Sequence, residues 1–564
     1  MINLKLVKIV KKYKWVILLL VFLPTITALF VPGYFGASDE LHIAWLMEMD
    51  KVLRLGQYPP RFVPTLSYGF GYPLFNFVFP LPFYIGEIFH FIGFNFVDSV
   101  KMLLGLTLIS SGFAMYAFLK QFKSDLLSFA GAILYVYTPY RATEIYVRGA
   151  VGEALSFVFF PLILLGAKKI LDNKKLNWNN VGIFSLSFGL LILSHNIAAL
   201  TFTAFLILLI LIIVVFQKSN RISFVKNISI AIVIGFLMSA YFWVPAIYES
   251  KYFKPDTVFD VRDHFPTIKQ LVIPYFGYGA SVPGPYDGIS FYIGLANLIL
   301  FVLSILYLAA RRIKQEATRA FFLWGILIFL FSIFMMNYRS TFIWMNVPYL
   351  DYFQFPWRFL TITTLASPLF LIPFTDSSKI LKVIISGVAL SSIFIFPWFR
   401  PQDFLGRTDE HFVRTYLPSD PISTEYRNNT EEYLRMPKDQ TERPKNLYNF
   451  IYSNGISKIT VQNMTPLSFK GRVTMNSDAV VNVSKYYLPG WYALIDGKRA
   501  SLSPGKPFGQ IVFEIKKGEH SIDVGFGETS QRMFLDLLSF ASFVFVLSKL
   551  IPIHFKQKRL TGKM

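Results

Sequence analysis

The stretch Ala37-Ser-Asp-Glu-Leu-His42 sets Asp39, Glu40 and His42 just past the end of the first apolar run. Charged groups are costly in hydrocarbon, so they gather at its edges or in protected cavities, often with work to do. On a helix Asp39 and His42 stand three residues apart and share a face, while Glu40 points elsewhere. A carboxylate at a partly dry mouth can act as a general base towards a hydroxyl. The same residues also fit a plainer role: after Ser38, Asp39 and Glu40 suit the start of a helix beginning at Leu41, as caps. The two readings are compatible. They make Asp39 the base, His42 its same-face orienting partner and Glu40 a capping or structural acid.

Four further groups of polar residues could bind an anion or a hydroxyl-rich ligand. Gly56-Gln-Tyr-Pro-Pro-Arg61 fixes the backbone ahead of Arg61, and Tyr68 to Phe75 adds glycines and aromatics. Arg61 could hold a phosphate bidentately, or anchor the loop at a membrane interface. Arg141, Arg148 and Glu153 sit at the ends of two apolar runs, and Arg358 follows Trp357 at the end of another. These arginines suit a phosphodiester, or they snorkel to the interface. His195-Asn196 breaks two long apolar runs; it either satisfies helix ends or recognises hydroxyls.

The elements that must position these residues are membrane helices. Of 564 residues 54% are apolar, 16% are charged and 60 are Phe. Apolar runs of about 20 residues recur, as in polytopic membrane proteins. The runs predict twelve spans near 15–33, 99–119, 125–139, 150–170, 179–195, 196–216, 226–247, 289–309, 319–336, 357–375, 378–398 and 532–552. The net charge of +21 sits in short clusters beside these spans: Lys5–Lys14, Lys120–Lys123, Lys168–Lys175, Lys218–Lys226, Arg311–Arg319 and Lys556–Arg559. The positive-inside rule makes these clusters cytoplasmic and puts Asp39 and most of the arginines on the outer face of the plasma membrane. Such a distribution argues against nucleic-acid binding.

The stretch 73–94 is apolar but carries Pro73, Pro80 and Pro82. Proline disfavours a continuous helix, and the even count of crossings leaves no room for one, so a re-entrant or surface-lying segment is expected. The alternative is a thirteenth span. Residues 400–531 are more polar, with strand-like alternation after about Ile456 and turns at Pro489-Gly490, Asp496-Gly497 and Lys517-Gly518. The expected division is a transmembrane domain over 1–399, a small outer β-rich domain over 400–531, and a last span with a basic tail over 532–564. Cysteine is absent, and the seven His form no zinc-site pair. The residues call for no cofactor and no bound metal.

Read in order, these features resemble the GT-C superfamily of polytopic glycosyltransferases. More specifically, Tyr58-Pro-Pro-Arg61, Gly69-Phe-Gly-Tyr-Pro-Leu-Phe75, Leu193-Ser-His-Asn196 and Phe355-Pro-Trp-Arg-Phe359 resemble the membrane proteins named for a 6-pyruvoyl-tetrahydropterin-synthase-related domain. The name does not carry a pterin-synthase zinc site to this chain. Tyr487-Leu-Pro-Gly-Trp491, Ile495-Asp-Gly-Lys498 and Gly518-Glu-His520 resemble the end of YfhO-like membrane proteins. The resemblance implies a carboxylate that acts as catalytic base at the outer end of the first span, which is Asp39 here, with Glu40 the adjacent acid, and a polyprenyl-phosphate sugar as donor. The acceptor would be a cell-surface glycan, a lipid or a protein. Tyr58, Tyr72 and Trp357 would stack on sugar rings, and Arg61, Arg141, Arg148 and Arg358 would meet the phosphate. The second-loop acid that some members use with a divalent metal, Mg or Mn, has no clear counterpart. Glu144 and Glu153 are its stand-ins, which leaves that metal open. The competing class is a flippase, exporter or scaffold for lipid-linked saccharides.

Overall fold

The computed structural model describes residues 4–551, apart from positions 123, 174, 218–219, 256–259, 311–312, 314, 349, 377, 420, 430 and 432; the side chains of 4–12, 351, 375–376 and 378–382 are also left undescribed. The basic cluster Lys556–Arg559 lies outside the described residues, as do Lys123, Lys218, Arg311 and Arg312 and the side chains of Lys5, Lys8, Lys11 and Lys12.

Among the described residues, eight helices are long and apolar enough to cross a membrane: Tyr13–Phe30, Phe96–Phe122, Val151–Asp172, Asn196–Phe216, Arg221–Met238, Glu316–Met335, Pro356–Phe374 and Ser530–Leu550. Four shorter apolar helices, Asp125–Val136, Trp178–Ser194, Leu295–Ala310 and Val383–Trp398, fall on the four remaining runs. Helices suit hydrocarbon because they satisfy every backbone group internally. The stretch 73–94 forms no continuous helix. It breaks into Leu74–Phe77 and Leu81–Phe91, with Val78–Pro80 between them. Eleven helical residues reach only about 16 Å at 1.5 Å each, too short for a crossing of about 30 Å.

The bundle is built around two helices. Phe96–Leu119 packs on Val151–Asp172, whose side chains are buried on nearly every side. Helix starts leave backbone N–H groups unpaired. At Phe96 these are met by the carboxylate of Asp409, which accepts from the backbone of Phe96 and Val97 at 3.0 and 2.9 Å. The Asn95 side chain adds a cap, accepting from Asp98 N at 2.7 Å.

Strands occupy Ile451 to Phe526 in two antiparallel sheets. They are β1 (Ile451–Tyr452), β2 (Ile456–Thr465), β3 (Ser468–Met475), β4 (Ala479–Tyr486), β5 (Trp491–Ile495), β6 (Lys498–Arg499), β7 (Ser503–Pro504), β8 (Gln510–Ile515) and β9 (Gly518–Phe526). One sheet has the order β1-β4-β8-β7 and the other β2-β3-β9-β5-β6. Alternation explains the core: Val481 and Val483 stand opposite Phe513 and Ile511, and all four are buried with Val473, Ile522 and Val524.

The sheets and the segment that leads into them grip the loop that follows helix Leu41–Arg54. Tyr486 N donates to the Phe70 carbonyl at 2.9 Å, Ser67 N donates to Glu431 Oε1 at 3.0 Å, and Lys485 Nζ donates to the carbonyls of Gly69 and Pro64 at 2.5 and 3.2 Å. Burial pushes the Lys485 ammonium down to about 7. Unfolded, it titrates near 10.4. Between these values the unfolded chain holds a proton that the folded chain has released, so stability rises with pH across that window. We expect the melting temperature to rise from pH 7 to 10 more steeply in the wild type than in Lys485→Met. Parallel curves would rule Lys485 out as the cause.

Candidate active site

The geometry of the site starts from a turn. Thr143–Arg148 is a π-helical segment, a form common at functional sites. It closes at Gly149, which adopts φ +68°; a Cβ there would also come within 2.8 Å of the Tyr34 hydroxyl. The turn's carbonyls then pair with the loop that follows the first apolar helix. Ser38 N donates to Val147 O at 3.1 Å and Asp39 N to Arg148 O at 2.7 Å. These bonds seat Asp39 over Arg148.

Arg148 is the hub. Its guanidinium meets Glu153 at 2.5 Å and the Tyr140 hydroxyl at 3.1 Å, and reaches Asp39 Oδ2 at 3.4 Å. Tyr140 donates to Glu153 at 2.7 Å, and Thr361 donates to the same carboxylate oxygen. Trp357 lies 5.1 Å from the Arg148 carbon and stacks between Phe355 and Phe291. The strong bonds of Arg148 therefore go to Glu153. Asp39 receives only the long contact, and its Oδ1 makes no hydrogen bond among the described residues.

A cavity of about 490 Å³ opens on this hub, lined by Asp39, His42, Trp45, Arg148, Glu153, His195, Asn196, Gln354 and Arg358 among others. His42 Nδ1 donates to the Gly149 carbonyl at 3.3 Å, which leaves Nε2 as an acceptor. Burial holds the imidazole below its usual pKa range, so it is neutral at pH 7. His195 accepts from Ala198 N at 3.1 Å and Asn196 donates to the Phe77 carbonyl at 3.0 Å. Both residues thus finish helix ends while also facing the cavity. Of the two arginines that line the cavity, Arg358 is the one whose side chain makes no hydrogen bond or ion pair among the described residues; its Nε is buried without a partner and its guanidinium carbon lies 5.6 Å from the Phe355 ring.

Beyond Leu200, which lines both spaces, lies an apolar groove of about 1050 Å³ between helices Asn196–Phe216 and Glu316–Met335. Its wall includes Phe205, Phe331, Phe353 and Phe359. Polar cavity and apolar groove are neighbours on one segment of chain, Leu350 to Phe359.

Several residues singled out in the sequence stand elsewhere. Glu40 neither caps its helix nor lines the cavity; it pairs with Arg407 and accepts from the Tyr416 hydroxyl at 3.0 Å. Arg61 is 1% exposed and tied to Glu528 at 3.1 Å, Asp536 at 2.5 Å and the Tyr241 carbonyl at 2.7 Å, so its donors fasten the last helix. Arg141 is fully buried, against Glu144 at 2.5 Å and the Phe157 ring. Tyr72 is buried against Phe253, whereas Tyr58 is 74% exposed outside the cavity. Trp357 is buried beneath Arg148 and does not line the cavity. Conversely, Trp45 and Gln354 line it and were not singled out. Trp45 was legible, one turn beyond His42 on the same helical face.

Both carboxylates of the cavity face Arg148, Glu153 at 2.5 Å and Asp39 through one oxygen at 3.4 Å. A set of metal-ligand type, Asp50, Glu87 and His90, occurs elsewhere, with its ligand atoms within 4.8 Å of one another. Arg54 holds Asp50 at 2.8 Å, and burial, with Asp50 beside it, pushes Glu87 up to about 7. None of the three lines the cavity.

Solved structures similar to this chain include two cryo-EM forms of the arabinofuranosyltransferase AftD from Mycobacteria. One is a mutant form (TM-score 0.43, 14% identity, 69% of this chain and 28% of that one). The other has a TM-score of 0.42 and 15% identity over 69% of this chain and 27% of that one. The chain thus spans little more than a quarter of their length. A protein of Lactococcus lactis subsp. cremoris (strain MG1363), described as uncharacterized, is 26% identical over 255 residues, which are 42% of this chain and 40% of the relative. Residues 75–402, more than half of the chain, match the family described as "6-pyruvoyl-tetrahydropterin synthase related domain; membrane protein", and the chain belongs to that family.

Proposed function

We propose that this protein is a membrane glycosyltransferase that moves a sugar from a polyprenyl-phosphate donor to an acceptor hydroxyl on the outer face of the plasma membrane. The observation that carries this reading is Arg358. An unpaired cation faces the same cavity as a carboxylate with a free oxygen, beside an apolar groove. A lipid phosphate fits that junction, with its chain in the groove and its charge at Arg358. The acceptor oxygen attacks the anomeric carbon while Asp39 takes its proton. The bond from that carbon to the phosphate oxygen breaks, and the lipid phosphate leaves with its charge met by Arg358. A phosphate leaves readily, so no acid catalyst is needed. Inversion follows from a single displacement. The basic clusters on one side of the spans support the outer location. A saccharide flippase would share the cavity and groove but would need no base.

Arg358→Gln tests the reading in a transfer assay with the protein in nanodiscs. A charge-assisted hydrogen bond contributes about 1.5–3 kcal/mol, so the donor KM should rise about 10- to 100-fold. The acceptor KM should not move. Equal changes in both would remove Arg358 from the phosphate.

A further inference from the structure

We infer that Gln354 reads the hydroxyls of the donor's sugar and so selects which donor is used. The inference rests on the glycosyl-transfer reading above and adds to it a specificity-determining residue. Gln354 lines the cavity between Tyr352 and Arg358, while Phe353 and Phe359, on the same segment, line the groove. It therefore stands where a donor's head group must turn away from its chain.

The backbone is shaped for this. Gln354 has φ +65°, a conformation in which glycine is at ease and a long side chain is uncommon. Phe355 N donates to Phe353 O at 2.7 Å across it, a tight three-residue turn. The flanking rings hold that turn. Phe353 stacks on Phe359 at 5.6 Å and Phe355 on Trp357 at 5.1 Å. The side chain so presented makes no hydrogen bond among the described residues.

An amide offers a donor and an acceptor side by side, which suits adjacent hydroxyls. It carries no charge, so it discriminates poorly between phosphates, a task already met by Arg358. A site that hydrogen-bonds a hydroxyl penalises analogues that lack it.

The test uses the full chain in nanodiscs and measures binding of farnesyl phosphate and of its glucosyl, galactosyl, mannosyl and arabinofuranosyl esters. At least one ester should bind the wild type about tenfold more tightly than farnesyl phosphate. Gln354→Gly keeps the positive φ and removes the amide. It should lose that preference and bind farnesyl phosphate as before. Gln354→Asn, which tolerates the turn and keeps a shorter amide, should retain part of it. A wild-type preference in Gln354→Gly, or no preference in the wild type, overturns the inference alone. If no prenyl probe binds, or binding ignores Arg358→Gln, the donor reading fails and takes the inference with it.

Discussion

Asp39→Asn is expected to lower sugar transfer by about 10³-fold or more while leaving the protein folded. General-base catalysis contributes about 10²–10⁴-fold. Asn matches the carboxylate in shape but cannot accept the proton. The position of residue 39 survives the change, because its backbone is held by Arg148 O at 2.7 Å rather than by its side chain. Arg148 also keeps its main partner, Glu153. The measurement is transfer from a labelled prenyl-phosphate sugar, alongside a thermal melt. In cells, the surface glycan should change and the lipid-linked sugar should accumulate. Wild-type transfer by a well-folded Asp39→Asn would remove Asp39 from the mechanism. A flippase or scaffold predicts that tolerance, so this variant separates the classes as well as testing the residue.

Local pattern carried the helices and half of the site. Apolar length is a one-dimensional property, so the runs near 99–119 and 150–170 reappear as Phe96–Phe122 and Val151–Asp172. The prolines of 73–94 act locally and break the helix where they stand. Asp39 lies in the turn just before helix Leu41–Arg54, where its carbonyl accepts from His42 N at 3.2 Å, and both residues line the cavity. Partners far along the chain are a different matter. Arg61 looked like a phosphate ligand until Asp536, 475 residues away, claimed its guanidinium. Glu40 looked like a cap, yet its partner Arg407 lies 367 residues on. No spacing rule reaches that far. Gln354 is hidden in the sequence for another reason. It sits in an aromatic run, Tyr352-Phe-Gln-Phe355, and its positive φ is a property that composition does not reveal.

Glu153→Gln should cost the fold about 3–5 kcal/mol, the usual effect of removing one partner from a buried ion pair. Both side chains are nearly inaccessible, at 6% for Arg148 and 2% for Glu153. Without the Glu153 charge, Arg148 would keep a buried positive charge whose remaining anion is Asp39, 3.4 Å away and partly exposed. Tyr140 and Thr361 would lose the ionised acceptor of their hydroxyls as well. The guanidinium would then be drawn towards Asp39 and compete with the acceptor hydroxyl for its carboxylate, which would slow transfer beyond the loss of folded protein. A double variant separates these effects. Replacing Arg148 by Met together with Glu153→Gln removes the stranded charge, so the double variant should be destabilised by less than the sum of the two single changes. Thermal melting of the four proteins in nanodiscs measures this coupling. Strict additivity, or a Glu153→Gln melt equal to that of the wild type, would show that the Arg148–Glu153 pair does not hold the floor of the cavity.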